Sequence, residues 1–255
     1  MFYNIDESIN LLISNFKKIK EKGWHVKKTA NPGEFGINFE RLLGKENDNF
    51  QIADYNGIEI KTKSYSNYSN YITLFNLTPL GNDFFEINRL KDIYGYPDSD
   101  LKNCKVLNGD IYYKSKNKIG SKYYFQTEID VKCEKIRLLI FDKYGNLIDK
   151  STFWTFNSIK ERLKIKVKYL ALIKVQTKII NKKKYYNYQS MKIYKFKNFA
   201  DFIKAIEHDY IRIQFKIGVF KSGKRIGQTH DRGTGFQISE KNIESLYTKI
   251  YSTEK

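Results

Sequence analysis

Apolar residues near the start of the chain recur at the spacing of an amphipathic helix. The recurring positions are Ile9, Leu12, Ile13 and Phe16. Gly23 follows the last turn of this pattern and predicts its end. Apolar residues at 35, 39, 42 and 43 predict a second helix, which Gly44 stops.

Strict alternation then replaces the helical spacing. Ile58-Glu59-Ile60-Lys61 reads as a half-buried strand, with isoleucines on one face and charged residues on the other. Asn56-Gly57, directly before it, is a strong turn signal and predicts a hairpin with a strand at 51–55. This turn can bring Asp54 toward the charged face of the strand.

Further along, the pattern predicts a mixture of strands and helices. The region from 80 to 120 shows only short polar pieces and is expected to be irregular. Mixed elements in which hairpins dominate indicate an α/β or α+β fold. The expected strands are 72–75, 123–132, 136–142, 146–154, 169–175, 210–220 and 235–238, and the expected helices are 156–166, 199–208 and 240–251.

Composition narrows the class of partner. The 255 residues carry 46 Lys+Arg against 28 Asp+Glu, a net charge of +18, and 41% of them are hydrophobic. A folded basic protein of this size usually binds a polyanion. A plainer explanation of the positive charge is a lysine-rich proteome. The two cysteines have no metal-ligand spacing, which fits a reducing compartment. No apolar run could span a membrane, so a soluble, cytoplasmic protein is expected.

The turn and the strand together contain a candidate catalytic group. Asp54, Glu59 and Lys61 follow the pattern D-x4-E-x-K. Two converging carboxylates suit a hard divalent cation such as Mg²⁺, and a neighbouring lysine can stabilise charge that develops on a phosphate. The pattern alone is weak, because an edge strand with a solvated charged face has the same residues.

A second segment matches the residue pattern of a nuclease motif at every position. Pro97-Asp98-Ser99-Asp100-Leu101-Lys102 has the required residue types, but its flanks lack apolar alternation. Pro and Ser there predict a loop, which does not provide the rigid strand that catalysis needs. We therefore set this segment aside.

A glycine-rich basic loop at 216–237 is the second functional candidate. Five glycines alternate with cations, one histidine and one aspartate. Glycines let the backbone approach DNA closely, and the cations can bind phosphates or guanine edges. A solvent-exposed hairpin loop is the alternative. The residues of interest are Lys216, Lys224, Arg225, His230, Asp231, Arg232 and Gln237.

The chain resembles the MvaI/BcnI branch of the MutH-related restriction endonucleases. The resemblance includes Gly36-x-x-Phe39-Glu40-x-Leu42-Leu43, then Asp54 and Ile58 to Thr62, and later Ile217-Gly218 and Gly227-x-Thr229-His230-Asp231. In that family a helical glutamate precedes the first catalytic aspartate by fourteen positions, as Glu40 precedes Asp54 here. Similar residues recur in order along nearly the whole chain.

The resemblance implies a PD-(D/E)xK nuclease core and two lobes that form a DNA-binding cleft. We expect a catalytic lobe at about 1–155 and a recognition lobe at about 156–255. Asp54 and Glu59 would bind Mg²⁺, Lys61 would be the catalytic lysine, and Glu40 an accessory acid. Ala53 replaces a proline of the family, which casts little doubt on the site.

The likeness also suggests the substrate and the setting. A monomer is expected to cleave double-stranded DNA at a short, CCWGG-like sequence and to be paired functionally with a cognate DNA methyltransferase. Lys216 and Gln237 replace arginines of the family, and Arg232 replaces a histidine. Because Gln favours adenine and Arg favours guanine, these replacements put the CCWGG target in doubt.

Three other functions remain open at this point. A MutH-like repair nickase would cut one strand, but the His-Asp loop argues against it. A non-catalytic DNA-binding protein would bind DNA without cleaving it in Mg²⁺. A lysine-rich scaffold protein would show no salt-dependent affinity for DNA.

Overall fold

The computed structural model describes residues 4–31, 33–44, 53–65 and 70–254. Within these residues, none of the helices is long and apolar enough to cross a membrane. Six α-helices are described: α1 Ile5–Glu21, α2 Glu34–Leu42, α3 Glu86–Tyr94, α4 Phe156–Lys166, α5 Phe199–Glu207 and α6 Ile243–Leu246.

Sixteen strands accompany these helices in the described residues. They are β1 His25–Val26, β2 Ile58–Ser64, β3 Tyr71–Asn76, β4 Tyr96–Pro97, β5 Lys105–Ile111, β6 Asn117–Ile119, β7 Tyr123–Asp130, β8 Lys135–Phe141, β9 Leu147–Asp149, β10 Phe153–Thr155, β11 Tyr169–Ile180, β12 Lys183–Phe196, β13 Ile211–Val219, β14 Thr229–Asp231, β15 Gly235–Ser239 and β16 Tyr247–Ser252. The fold is therefore a strand-rich mixture of α and β elements.

The chain divides into two compact units, each assembled from distant segments. The first contains residues 1–70, 162–197 and 246–255, and the second contains 71–161 and 198–245. This division differs from a single cut after residue 155. Strand pairing explains the difference, because β2 pairs with β11 and β12 with β16, which joins the two ends of the chain to its middle.

One mixed sheet forms the centre of the first unit. Its order is β1-β12-β11-β2, and β16 also pairs with β12. The pairs around β12 are antiparallel, whereas β2 runs parallel to β11. Helices α1 and α2 bury Leu12, Phe16 and Phe39 in the same core as Ile58 and Ile60. The helical periodicity of the first fifty residues thus anchors the strand that carries the candidate site.

Two sheets form the second unit. One has the order β3-β15-β13-β5-β4, with β14 on β13, and the other has the order β10-β8-β7-β6, with β9 on β8. Strand β13 alternates strictly between buried and partly exposed residues. Its buried side chains pack against neighbouring strands; the ring of Phe215, for example, contacts the ring of Phe125 on β7. The other face of β13 is free to carry polar side chains.

Two predicted regions are wrong. The region 80–120 contains α3 and three strands, because its apolar positions become buried only in contacts with distant strands such as β13. The predicted terminal helix at 240–251 gives way after Leu246 to β16, which fills the open edge of β12. Of the predicted strand at 51–55, residues 51 and 52 lie outside the described residues, and Tyr55 forms an isolated antiparallel bridge with Ile58.

Candidate active site and DNA-recognition face

A tight turn brings Asp54 beside β2. Asn56 and Gly57 both have positive φ, at 44° and 86°, the combination that two-residue hairpin turns require. Tyr55 and Ile58 close the turn with reciprocal backbone hydrogen bonds of 2.9 and 2.8 Å. The Ile60 amide N–H then donates to Asp54 Oδ2 at 2.9 Å. The predicted turn is confirmed, and it fixes the aspartate carboxylate at the strand.

Glu59 and Lys61 share one face of β2, as their spacing predicts. The parallel register places Glu59 beside Leu170 and Lys61 beside Leu172. The expectation of a half-buried strand is wrong for Glu59, which is 0% exposed, like Ile58 on the opposite face. The side chains of Lys61 and Lys166 lie against the acid on its own face.

The two oxygens of the Glu59 carboxylate differ in their contacts. Oε1 accepts a hydrogen bond from Lys61 Nζ, and Lys166 Nζ lies 3.6 Å from the same oxygen. Oε2 is buried and has no hydrogen-bond partner among the described residues. Burial raises the pKa of Glu59 to about 7, the two lysines oppose this, and Asp54 adds to it.

Lys166 is a residue of this group that sequence reasoning missed. It ends α4 and lies more than a hundred positions after Glu59. Its side chain is 24% exposed, similar to the 28% of Lys61. No local pattern identifies it, because one lysine among many on a basic helix carries no signal. Only the parallel pairing of β2 with β11 reveals the neighbourhood.

Glu40 lies on the flank of α2 that faces β2. A Cβ built on Gly36, one turn earlier, would lie 3.4 Å from Thr62 Oγ1 and 3.9 Å from Glu40 Oε1. The described residues nevertheless contain no group of three or more His, Cys, Asp or Glu side chains that could hold a metal ion. The structure thus brings Asp54, Glu59 and Lys61 together and places Glu40 on the neighbouring helix.

The donor chemistry of this group suits a divalent cation. Mg²⁺ prefers oxygen ligands, and proteins commonly supply only one or two carboxylates to it. Asp54 and Glu59 provide this number. The partnerless Oε2 of Glu59 is a buried acceptor whose cost a cation would remove. The residues present therefore fit the metal that their sequence pattern suggested.

The basic loop lies in the second unit and is built on β13. The carbonyl of Lys216 accepts from the Arg232 N–H at 3.1 Å, which joins the two sides of the loop. Lys216 is half-buried, and this burial lowers its pKa, while Asp231 acts in the opposite direction. A Cβ on Gly235 would lie 3.5 Å from Lys216 Nζ, so the glycine leaves room for the lysine.

An aromatic stack organises the tip of this loop. The rings of Phe220 and His230 lie 4.2 Å apart with an interplanar angle of 8°. The Arg225 guanidinium lies 4.0 Å from the Phe220 ring centroid. Lys224 and Arg225 are exposed, whereas His230 is partly buried. The Asp231 carboxylate accepts from the Gly233 N–H at 2.8 Å, which stabilises the turn that follows.

Gln237 is committed to a hydrogen-bond network. It is 7% exposed; its Oε1 accepts from Arg212 Nε at 3.0 Å, and its Nε2 donates to Thr73 and Gln214, also at 3.0 Å. Asp110 accepts from both Arg212 and Gln214. Neither Arg212 nor Asp110 was anticipated, although the alternation Arg212-Ile-Gln214-Phe-Lys216 marks a polar face of β13.

The segment 97–102 forms a turn, as its composition predicts. Asp98 Oδ1 accepts from the backbone N–H groups of Asp100 and Leu101, both at 2.9 Å. It also pairs with Lys221 of the basic loop. These bonds, of which the one to Lys221 acts most strongly, lower the pKa of Asp98 to about 2. Its role is to tie two loops together.

Comparisons with known proteins point to one family. The family model of the MvaI/BcnI restriction endonuclease family matches residues 13–247. The structure of restriction endonuclease MvaI with cognate DNA is 33% identical and superposes with a TM-score of 0.86, covering 95% of this chain and 97% of that one. MvaI without DNA is 32% identical, with a TM-score of 0.59 and coverage of 96% and 97%.

A comparison with curated protein sequences gives no match. The family model and the MvaI structures agree over nearly the whole length of the chain. We conclude that the chain belongs to the MvaI/BcnI restriction endonuclease family and is a type II restriction endonuclease.

Proposed function

We propose that this protein hydrolyses phosphodiester bonds in duplex DNA at a short specific sequence, with Mg²⁺ as its metal. The observation that carries the proposal is the convergence of Asp54, Glu59 and Lys61, with one buried carboxylate oxygen left without a partner. Support comes from the similarity to MvaI, whose structure contains cognate DNA, and from the charge of +18.

Asp54 and Glu59 would hold the metal, and a divalent metal is general in this family. When bound, Mg²⁺ supplies Lewis-acid polarisation of the phosphate and stabilises negative charge on it. The Ile60 N–H donates to Asp54 and holds its carboxylate in place. Glu59 is fixed by burial on a strand, so neither ligand has to be ordered when the cation arrives.

Lys61 has two tasks in this proposal. In the metal-free protein it neutralises Glu59 through a hydrogen bond to Oε1. With DNA present, its ammonium group would orient the attacking water and offset charge on the phosphate in the transition state. Glu40 would be an accessory acid, because it lies on the flank of α2 beside β2.

We assign catalysis to the first unit, as a PD-(D/E)xK core, and DNA reading to the second, with the DNA in a cleft between two lobes. Exposed Lys224, Arg225 and Arg232 would bind phosphates or guanine edges. His230, Asp231 and Lys216 would contact bases near the loop. Gln237 has both amide groups occupied, so its contribution is to position Arg212 rather than to bind adenine.

The setting follows from the function. We infer that a monomer acts in the cytoplasm, where a cognate methyltransferase would protect host DNA. The target is CCWGG-like, with differences at the base pairs that Lys216 and Arg232 face.

A digest of mapped plasmid DNA tests this proposal. Purified protein is incubated with Mg²⁺ or with EDTA, and the product ends are sequenced. We expect fragments with one recurrent end sequence in Mg²⁺ and none in EDTA. Lys61→Ala should abolish cleavage, and Lys20→Ala, which removes an exposed lysine from α1, should not. Intact plasmid with wild-type protein would overturn the proposal, and nicked circles alone would indicate a MutH-like nickase.

A further inference from the structure

A cavity of about 340 Å³ lies beside α2 in the first unit, and we call it the α2 pocket. Ile37, Asn38 and Arg41 of α2 line it, together with β1, the loop that follows β1, and one residue of β12. Gly36 and Glu40 lie on a different flank of the helix, the one that faces β2. The α2 pocket is therefore separate from the candidate active site, and its volume is in the range of small-molecule sites.

Hydrogen bonds hold the loop that forms one wall of the α2 pocket. The backbone N–H groups of Lys28 and Thr29 donate to the Glu34 carboxylate at 2.6 and 2.7 Å, and the Thr29 hydroxyl donates to it at 2.6 Å. Further along, the Gly33 N–H donates to Asn31 Oδ1 at 2.8 Å. Because these bonds already fix the wall, a ligand does not have to order it on binding.

The charges around the α2 pocket favour an anion. Lys28 and Arg41 line it, and both side chains are exposed and accessible to a ligand. Glu34 is the single acid among the described lining residues. Its carboxylate already accepts the three loop hydrogen bonds, and Lys27 Nζ lies 3.8 Å from Oε2. Two cations thus face a carboxylate whose charge is largely offset by its own neighbours.

His25 adds an unused hydrogen-bonding atom to this wall. Its ring lies 5.5 Å from that of Tyr186 at an interplanar angle of 29°, and its Nε2 is buried without a partner among the described residues. Burial and the nearby Lys22 lower the pKa of His25, so the ring is neutral at pH 7. A neutral imidazole nitrogen donates or accepts according to its tautomer. A ligand that reaches Nε2 from the pocket would satisfy it.

We propose that the α2 pocket is a nucleotide-binding site, in which Lys28 and Arg41 bind the phosphate ester and the nucleoside lies against Val26 and Ile37. The cavity is far larger than a phosphate group, and its lining is partly apolar, which suits a sugar or a base beside the anion. The same chemistry is offered by a free mononucleotide and by a nucleotide of a DNA strand. This site goes beyond the proposed function and does not depend on cleavage.

The test uses the three histidines of the chain as reporters. Full-length protein labelled with ¹⁵N-histidine is titrated with 5′-dAMP in EDTA and followed by NMR. We expect the ring signals of His25 to shift and saturate, with a dissociation constant of about 1 mM or tighter. Those of His208, whose Nδ1 bonds to the Lys204 carbonyl at the end of α5, should not move. An unchanged His25, including a response confined to His230, would overturn the proposal.

Variants and smaller probes test how the ligand is held. Arg41→Ala should weaken dAMP binding at least about tenfold, and Lys28→Ala should weaken it in the same way. Lys20→Ala, which removes an exposed lysine from α1, should bind like the wild type. Equal affinities of all three variants would overturn the phosphate contact. Deoxyadenosine and inorganic phosphate should each bind more weakly than dAMP, and phosphate binding as tightly as dAMP would overturn the nucleotide assignment.

A last titration identifies the source of the nucleotide. A short duplex of arbitrary sequence is added to protein saturated with dAMP. If the site takes a nucleotide of DNA, the duplex displaces dAMP from His25; if it takes a free nucleotide, both bind together. Because every measurement is made without metal, failure of wild-type protein to cleave DNA would leave this site standing. Conversely, a silent His25 would leave the proposed function untouched.

Discussion

The two candidate sites treat buried polar atoms in opposite ways. In the second unit, the side-chain amide of Gln237 has hydrogen-bond partners for both its oxygen and its nitrogen. Asp110 accepts hydrogen bonds from Arg212 and Gln214, which both also bond to Gln237. In the first unit, Glu59 is equally buried, yet Oε2 has no partner in the described chain and Oε1 faces two lysines. One group has all its hydrogen bonds in the free protein, and the other has an acceptor that a ligand could still pair with.

This difference separates recognition from chemistry. An unpaired buried polar atom costs about 1–3 kcal/mol, so it persists where something later binds to it. A network whose hydrogen bonds are all formed carries no such free-energy cost, and it holds its side chains in one geometry before DNA binds. The first arrangement suits a metal ligand, and the second suits a surface that must present the same shape to every DNA sequence it samples.

The largest expected effect comes from removing charge at Asp54, one of the two proposed metal ligands. Asp54→Asn keeps an oxygen for the Ile60 N–H but loses the negative charge that a cation requires. We expect cleavage in Mg²⁺ to fall by about a thousandfold or more, with metal-free DNA affinity within about threefold of wild type. Single-turnover kinetics and a binding titration measure this. Asp6→Asn on α1 is the control, and a variant within about tenfold of the wild type would remove Asp54 from the site.

The second expected effect concerns stability and pH. Burial raises the pKa of Glu59 from 4.5 to about 7, so between these values the native protein binds more protons than the unfolded chain. Stability from this group therefore falls as pH rises through the window and stays low above it. Glu59→Gln has no such titration and should raise the metal-free free energy of unfolding at pH 8 by at most about 3 kcal/mol.

Urea unfolding in EDTA at pH 4.5 and pH 8 measures this effect. The difference between variant and wild type should be larger at pH 8 than at pH 4.5. A constant difference across this range would mean that Glu59 does not titrate within it. The contrast between the buried carboxylate of Glu59 and the fully hydrogen-bonded amide of Gln237 would then have no electrostatic basis.

The third effect lies in the closed network. Asp110→Ala leaves Arg212 Nη1 and Gln214 Nε2 without the carboxylate that accepts from both. We expect a loss of about 1–3 kcal/mol in unfolding free energy, together with weaker discrimination between target sequences. Thermal unfolding and a cleavage profile over sequence variants test both. Glu161→Ala, which truncates an exposed acid, should change stability by less than about 0.5 kcal/mol.

The smallest effect belongs to the exposed cations of the loop. Lys224→Ala should weaken DNA binding by less than about tenfold and to the same degree for specific and non-specific DNA. The slope of log affinity against log salt should fall by about one. Salt titrations of both DNA classes measure this, with Lys20→Ala as the control. A loss confined to specific DNA would place Lys224 at a base instead.

Local patterns predicted the parts of the site that local geometry controls. Asn56-Gly57 predicted the turn that delivers Asp54, and alternation put Glu59 and Lys61 on one face. The burial of Glu59 and the position of Lys166 were not predictable, because both depend on the parallel pairing of β2 with β11. The same applies to Asp110, whose partners Arg212 and Gln214 lie about a hundred positions later.

The ends of the chain show the same limit. The terminal segment has apolar residues that fit a helix, yet Tyr247–Ser252 forms β16 because β12 offers an unfilled edge. Here the pairing partner overrides local propensity. By contrast, α1 needs only its own amphipathic face, and the structure places it at Ile5–Glu21 as the pattern predicts.

The pairing of β2 with β11 also has a consequence for synthesis in the cell. Tyr169 pairs with Ile58, about 110 positions earlier in the chain. A nascent chain that has emerged only as far as residue 165 lacks both Lys166 and the strand that lies beside Glu59 and Lys61. Its acids are solvated and its active site is unassembled. An enzyme able to cut the DNA of its own host is thus inert on the ribosome until most of its sequence has been translated.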